Sequence, residues 1–367
     1  MLRVDAHENR RQTRRTVLRA FAVPTSLLAN AANMLARCVI LLTVLTVAIA
    51  GGDAPSGTLA STLGVGFAEF RVHDPIAHGR MSAVAFYPSD EASGVTTIGP
   101  YAIGATRNLA LSSGSHELVV ISHGTGGSKW DLHDYCEALA RAGYVVAALT
   151  HPGDNYKEST GLGTDRVLIG REVQLSALID AVLLSPKFGT HIDRTKIAAA
   201  GFSAGGYTSL VLAGARPDFA LLTAYCRRHP KDRTFCWNGE VTKIRTTGLK
   251  PVRDRRVRAV IALAPVGLYF DRAALSKVSV PVLLFNGQRD DVLLPGENSQ
   301  RVARLLAIPP ARFVIIPKAQ HFVFISPCTP RLLALVRSIC VDPLGVDRAA
   351  VHARIQRDMK RFLAATL

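Results

Sequence analysis

Lys196-Ile-Ala-Ala-Ala-Gly201-Phe202-Ser203-Ala204-Gly205-Gly206-Tyr207 is an apolar run that ends in a Gly-x-Ser-x-Gly turn and leads into the helix-like Thr-Ser-Leu-Val-Leu. The pattern predicts a strand before Ser203 and a helix after it. A serine on so tight a turn takes strained backbone angles, and side chains on its neighbours would clash, which accounts for the glycines. Such a turn projects a hydroxyl into a cleft. It also puts the backbone N–H of Ala204 at a helix N-terminus, where negative charge is stabilised. A glycine-rich turn with a capping serine satisfies the same pentapeptide, so the rest of the chain has to discriminate.

Downstream, the apolar segments 281–285 and 312–316 read as strands. Each is followed by a residue that could activate a serine. Asp290 and Asp291 follow the first, in Asn286-Gly-Gln-Arg-Asp290-Asp291. His321 follows the second, in Pro317-Lys-Ala-Gln-His321. A serine needs a base to take its proton, and the base needs an orienting acid. We therefore read Ser203 as nucleophile, His321 as base and Asp290 as acid, with Asp291 the alternative acid. The loop Ser122-His123-Gly124-Thr125-Gly126-Gly127 follows a predicted strand at 116–121. Its glycines would let backbone N–H groups approach a substrate oxygen, and Thr125 and Ala204 are the expected donors. His123 is read as supporting that loop. A phosphate-cradling reading lacks the Gly-Lys-Ser/Thr ending.

The remaining pattern alternates strands (116–121, 144–149, 197–200, 257–264, 281–285, 312–316) with helices (129–142, 170–184, 204–213, 297–306, near 330–339, 348–365). It predicts an α/β architecture, a mostly parallel sheet covered by helices on both faces. Met81–Tyr87, before Pro88, reads as an antiparallel starting strand. Residues 216–256 are polar and basic and contain Cys226, Cys236 and Trp237. They read as a cap insertion over the strand ends. His151-Pro-Gly-Asp154, after a strand end, reads equally as pocket lining or as a turn.

The chain of 367 residues carries a net charge of +16. No helix-turn-helix, finger spacing or aromatic-basic interleaving accompanies the charge, so it predicts attraction to an anionic membrane surface rather than to nucleic acid. Residues 1–50 hold seven arginines against Asp5 and Glu8. They include the uncharged run Cys38–Ala50, which ends in the small-x-small pattern Ala48-Ile49-Ala50. This front segment reads as an export signal. One version starts at Met34, and another is a twin-arginine signal around Arg14-Arg15. An uncleaved anchor is the remaining alternative. Residues 51–66 read as a linker, and 67–367 as the folded domain. Export fits local bridges Cys226–Cys236 and Cys328–Cys340, with Cys136 a buried thiol. No Cys/His spacing suggests a metal site.

These pieces together resemble a known group. Phe86-Tyr-Pro88, Ser122-His-Gly124, the Asp131…Tyr135 helix start, Thr150-His-Pro-Gly-Asp154, Gly201-Phe-Ser-Ala-Gly-Gly206, Gly287-Gln-Arg-Asp290 and Gln320-His-Phe-Val-Phe324 carry the resemblance. The chain resembles α/β-hydrolases of the group labelled predicted dienelactone hydrolases and is similar to platelet-activating-factor acetylhydrolases, over roughly 68–365. The order Ser203…Asp290…His321 is the order of that fold. The resemblance implies hydrolysis of a small-molecule or lipid carboxylic ester without metal or organic cofactor. True dienelactone hydrolases use a cysteine nucleophile, so Ser203 argues against that substrate. A lipase or phospholipid deacylase, and a noncatalytic binding protein on the same fold, are the rival readings.

Overall fold

The computed structural model describes residues 63–237, 240–241 and 244–367. The export-signal reading, including Met34 and Cys38, falls on residues 1–50 and lies outside the described residues, as does most of the expected linker. Among the described residues, nine strands form the main sheet. In chain order they are β1 (Gly64–His73), β2 (Arg80–Ser89), β3 (Thr106–Arg107), β4 (His116–Ser122), β5 (Val145–Leu149), β6 (Ile192–Phe202), β7 (Val257–Leu263), β8 (Val282–Gly287) and β9 (Phe313–Ile316). Their spatial order is β9-β8-β7-β6-β4-β5-β2-β1-β3. From β9 through β5 every neighbouring pair is parallel, and β2 joins β5 antiparallel. The α/β-hydrolase fold expected from the sequence is the fold observed.

Side-chain alternation explains the near-continuous apolar strands. In β4, Leu118 and Val120 face one core, and Val119 and Ile121 face the other. The first core is closed by helices α2 (Gly170–Leu183) and α3 (Ala204–Leu212), through Leu175, Leu178, Leu210 and Val211. The second is closed by α1 (His133–Ala140) and the C-terminal helix Arg348–Thr366, through Tyr135, Leu139, Ile355 and Phe362. Burial on both faces leaves polar chemistry to the strand ends.

Several boundaries differ from the sequence reading. The expected linker at 51–66 is wrong at its end, because β1 already begins at Gly64. The glycines that suggested a linker are needed for packing. A Cβ on Gly66 would run into the Tyr87 ring, and one on Gly64 into the carbonyl of Glu91. The single starting strand is a hairpin of β1 and β2, and Pro88 lies inside β2. The helix expected over 129–142 is shortened to α1 by turns at both ends, and that near 330–339 is two short helices, Pro330–Leu335 and Arg337–Cys340. The 216–256 insertion contains the helix Leu221–Arg228 and a two-residue strand pair.

Candidate active site

Ser203 follows β6 directly, at φ 55° and ψ −116°, a conformation that side chains rarely adopt. The turn is tied to β7 by the Ser203 N–H, which donates to Leu263 O at 2.8 Å. Crowding explains its glycines. A Cβ on Gly205 would overlap the Ser122 carbonyl and stand 2.7 Å from His123 O, and one on Gly201 would stand 2.8 Å from Ser122 O. The tight turn thus depends on β4 lying directly alongside.

Asp290 lies just beyond β8 and His321 just beyond β9. Their loops are joined by Arg289 N–H to Ala319 O at 2.9 Å and Lys318 N–H to Gln288 Oε1 at 2.9 Å. His321 Nδ1 is 2.8 Å from Asp290 Oδ2, and Nε2 is 2.9 Å from Ser203 Oγ. A carboxylate only accepts, so Nδ1 carries the proton and Nε2 is left to accept from the serine hydroxyl. Asp290 Oδ1 is held by the N–H groups of Val292 (3.0 Å) and Leu293 (2.7 Å). Asp291 has a different partner, since its Oδ1 accepts the backbone N–H of His321 at 3.3 Å. All three residues of the line are nearly enclosed, with Ser203 8% and His321 2% exposed. The Phe202 ring packs 4.8 Å from the imidazole.

The 122–127 loop lies beside Ser203. The His151 N–H donates to His123 Nε2 at 3.0 Å, so the proton of His123 is on Nδ1, which donates to Gly124 O at 2.6 Å. Burial, reinforced by the Arg171 charge, pushes the His123 pKa down to about 3, so this ring is neutral. It supports the loop, and both of its ring nitrogens are bonded to backbone groups rather than to Ser203. Gly124 O also accepts from the Gly127 N–H at 3.1 Å. In a trans peptide the C=O and the following N–H point in opposite directions. With Gly124 O fixed inward, the Thr125 N–H is turned the other way, on a residue that lines the same cavity as Ser203 and Ala204. Ala204 is the first residue of α3, where backbone N–H groups have no helical acceptor.

This cavity has a volume of about 510 Å³ and a predominantly apolar wall. Leu222, Phe235 and Ile244 come from the insertion, Leu162 and Val167 from the segment before α2, and Phe322 from beside His321. The insertion is held by the disulfide Cys226–Cys236, and a second disulfide joins Cys328 to Cys340. Cys136 is a buried free thiol. Among the described residues no cluster of His, Cys, Asp and Glu is disposed to hold a metal ion, and no helix is long and apolar enough to cross a membrane.

Two supporting residues escaped the sequence reading. Arg171 reaches the 122–127 loop from α2, and its signal is spacing, since it shares a helix face with the buried Leu175 and Leu178. His352, on the C-terminal helix, donates Nδ1–H to Asp134 Oδ2 (2.6 Å), and its Nε2 lies 2.7 Å from Val323 O and 3.2 Å from the Tyr135 hydroxyl. These contacts pin the segment bearing His321 from behind. Nothing local in the sequence marks that role. Asp154 of the His151–Asp154 segment does line the cavity.

A model described as the alpha/beta hydrolase family matches residues 118–334. Among solved structures, a ferulic acid esterase from Streptomyces cinnamoneus superposes with a TM-score of 0.56. It is 19% identical, and the match covers 84% of this chain and 91% of that one. At that identity the likeness is one of fold. No curated protein matches the chain.

Proposed function

Because the chain belongs to the alpha/beta hydrolase family, we propose that it is a serine hydrolase cleaving carboxylic esters through an acyl-enzyme. Ser203 Oγ attacks the ester carbonyl as its proton passes to His321 Nε2. The negative charge that develops on the carbonyl oxygen is met by the N–H groups of Thr125 and Ala204. Collapse of the tetrahedral species breaks the ester C–O bond, and His321 gives its proton to the departing alcohol. Water then repeats the sequence on the acyl-serine, with His321 as base, and releases the acid. Asp290 keeps the ring oriented and stabilises its charged form. The observation that carries this reading is the line Ser203 Oγ–His321 Nε2 at 2.9 Å and His321 Nδ1–Asp290 Oδ2 at 2.8 Å, at the wall of a 510 Å³ cavity.

The apolar wall favours an ester with a substantial hydrophobic acyl or alcohol part. The resemblance to platelet-activating-factor acetylhydrolases supports an esterase, and Ser203, where true dienelactone hydrolases have a cysteine, argues against a dienelactone substrate. Two disulfides and the sequence of residues 1–50 support export to an oxidising compartment. The test is hydrolysis of p-nitrophenyl esters of increasing acyl length, with a hydroxycinnamate ester in the same panel, by the wild type and by Ser203→Ala. Loss of turnover in a folded variant is expected, and undiminished turnover would refute the reading. Labelling by a fluorophosphonate, which requires an activated serine, separates the enzyme from a noncatalytic binding protein.

A second reading, a lipase or phospholipid deacylase, is favoured by the exposed cations Arg227, Arg228, Lys231 and Arg233 on the same insertion that lines the cavity. It predicts turnover that rises sharply once the substrate aggregates, and more so on anionic vesicles.

A further inference from the structure

Arg171 is 2% exposed and Asp154 is fully buried, with Nη1 2.5 Å from Oδ2. Burying two charges costs so much desolvation that a pair of apolar residues in their place is often as stable or more so. A contribution to stability is therefore a weak reason for this pair to exist. Its other contacts are directed at one loop. Arg171 Nη2 donates to the carbonyl of His123 and to Ser122 Oγ at 3.0 Å. Asp154 Oδ1 accepts the N–H of Gly126 at 2.9 Å, where Gly126 takes a left-handed φ of 71°. The two anchored groups, His123 O and Gly126 N, lie on either side of the Gly124–Thr125 peptide.

We propose that the Arg171–Asp154 ion pair is a clamp that positions the oxyanion loop and so directs the Thr125 N–H at the reacting carbonyl oxygen. This rests on the esterase reading above. The two residues are positioning residues, acting through the loop. The arrangement has a simple logic. Gly124, Gly126 and Gly127 give the loop freedom to bring backbone N–H groups close to a substrate, and the same freedom would let the donor swing away. A charged clamp on both flanks restores a single orientation before the transition state forms, which is the condition for a donor to be effective there. His151 extends the support, with its Nε2 2.9 Å from Ser122 Oγ and Nδ1 2.8 Å from Gln174 Oε1, so the loop is tied to α2 at two points.

The experiment compares wild type, Asp154→Leu/Arg171→Met and Asp154→Asn for steady-state hydrolysis of p-nitrophenyl butyrate, inhibition by a trifluoromethyl ketone, rate of fluorophosphonate labelling, and thermal melting. The double variant removes both charges together, which offsets part of the cost of leaving the Gly126 N–H and the His123 carbonyl without these partners, so a modestly lowered melting temperature in a variant that still folds is expected. Its kcat is expected to fall about 10- to 100-fold with KM nearly unchanged, because the lost interaction exists only in the transition state. Affinity for the ketone, whose adduct carries the same oxyanion, should weaken in parallel. A folded double variant with wild-type kcat overturns the clamp. So does a raised KM at unchanged kcat, which would make the pair a direct substrate contact. If the double variant does not fold, Asp154→Asn decides. Its amide can still accept from Gly126 but opposes Arg171, and about a tenfold loss of kcat is expected while wild-type kcat overturns the proposal. A wild type that labels but does not hydrolyse the ester sinks the esterase reading, and the labelling rates then test the clamp.

Discussion

Asp290 Oδ2 meets His321 Nδ1 at 2.8 Å, whereas its neighbour Asp291 meets only the backbone N–H of the same histidine, at 3.3 Å. Adjacent carboxylates thus have separable expected roles, one on the imidazole ring and one on the loop that carries it. Asp290→Asn keeps the shape but presents an amide to Nδ1, which favours the wrong tautomer for accepting the serine proton. A loss of kcat on the order of 10⁴ is expected. Asp291→Asn retains an acceptor for the backbone N–H and should cost less than about tenfold. Steady-state kinetics on the two variants checks the assignment, and a reversed ranking would move the acid to Asp291.

The elbow is expected to tolerate no side chain at Gly205. A methyl group there would overlap the Ser122 carbonyl, which belongs to β4 and cannot retreat without breaking its pairing with β6. Gly205→Ala should lower stability by roughly 3 kcal/mol or more or prevent folding, well beyond the usual glycine-to-alanine effect. Urea melts of the variant against wild type measure this directly. A neutral result would mean that the turn is looser than its contacts imply.

Much of this arrangement was legible in the chain. The strands of the sheet's interior are apolar on both faces, Ser203 and the 290–291 doublet follow two of them, and His321 follows the apolar edge strand β9. Edges were harder to read. β6 extends back to Ile192 through Asp193, Arg194, Thr195 and Lys196, which are half-buried or exposed and so carry no apolar signal. The glycines at 64 and 66 imitate a linker because the reason for them, the Tyr87 ring and the Glu91 carbonyl, lies on another strand. Asp290 and Asp291 could not be separated by position, since a one-residue difference of register decides which faces the ring. Spacing puts Arg171 on a buried helix face, but it and His352 act through partners 17 to 218 residues away, and no local pattern identifies those partners.

The two disulfides should differ in what their removal does. Cys226–Cys236 closes a ten-residue separation behind Leu222 and Phe235, which line the cavity, whereas Cys328–Cys340 lies outside the cavity wall. Replacing either pair by serines should cost roughly 2–3 kcal/mol through the unfolded chain's regained freedom. Only Cys226→Ser/Cys236→Ser should also raise KM for bulky apolar esters, because it frees one wall of the site. Melting temperatures together with KM across an acyl-length series separate the two effects. Equal KM shifts in both variants would refute the distinction.

Glu172 provides the clearest pH dependence. Its Oε1 accepts the Val252 N–H at 2.7 Å, its Oε2 has no partner among the described residues, and burial pushes its pKa up to about 9 against the partial relief of that hydrogen bond. The folded protein therefore holds a proton that the unfolded chain releases above about pH 4.5. The resulting stabilisation is complete below that pH and is lost progressively as pH rises toward 9, by up to about 1.4 kcal/mol per pH unit for one fully linked proton. Glu172→Gln keeps an acceptor for Val252 and carries no ionisable group. Its melting temperature relative to wild type should accordingly climb between pH 5 and pH 9. Parallel melting curves across that range would mean that Glu172 is already ionised in the folded protein, and that the neutral carboxyl between α2 and the insertion does not exist.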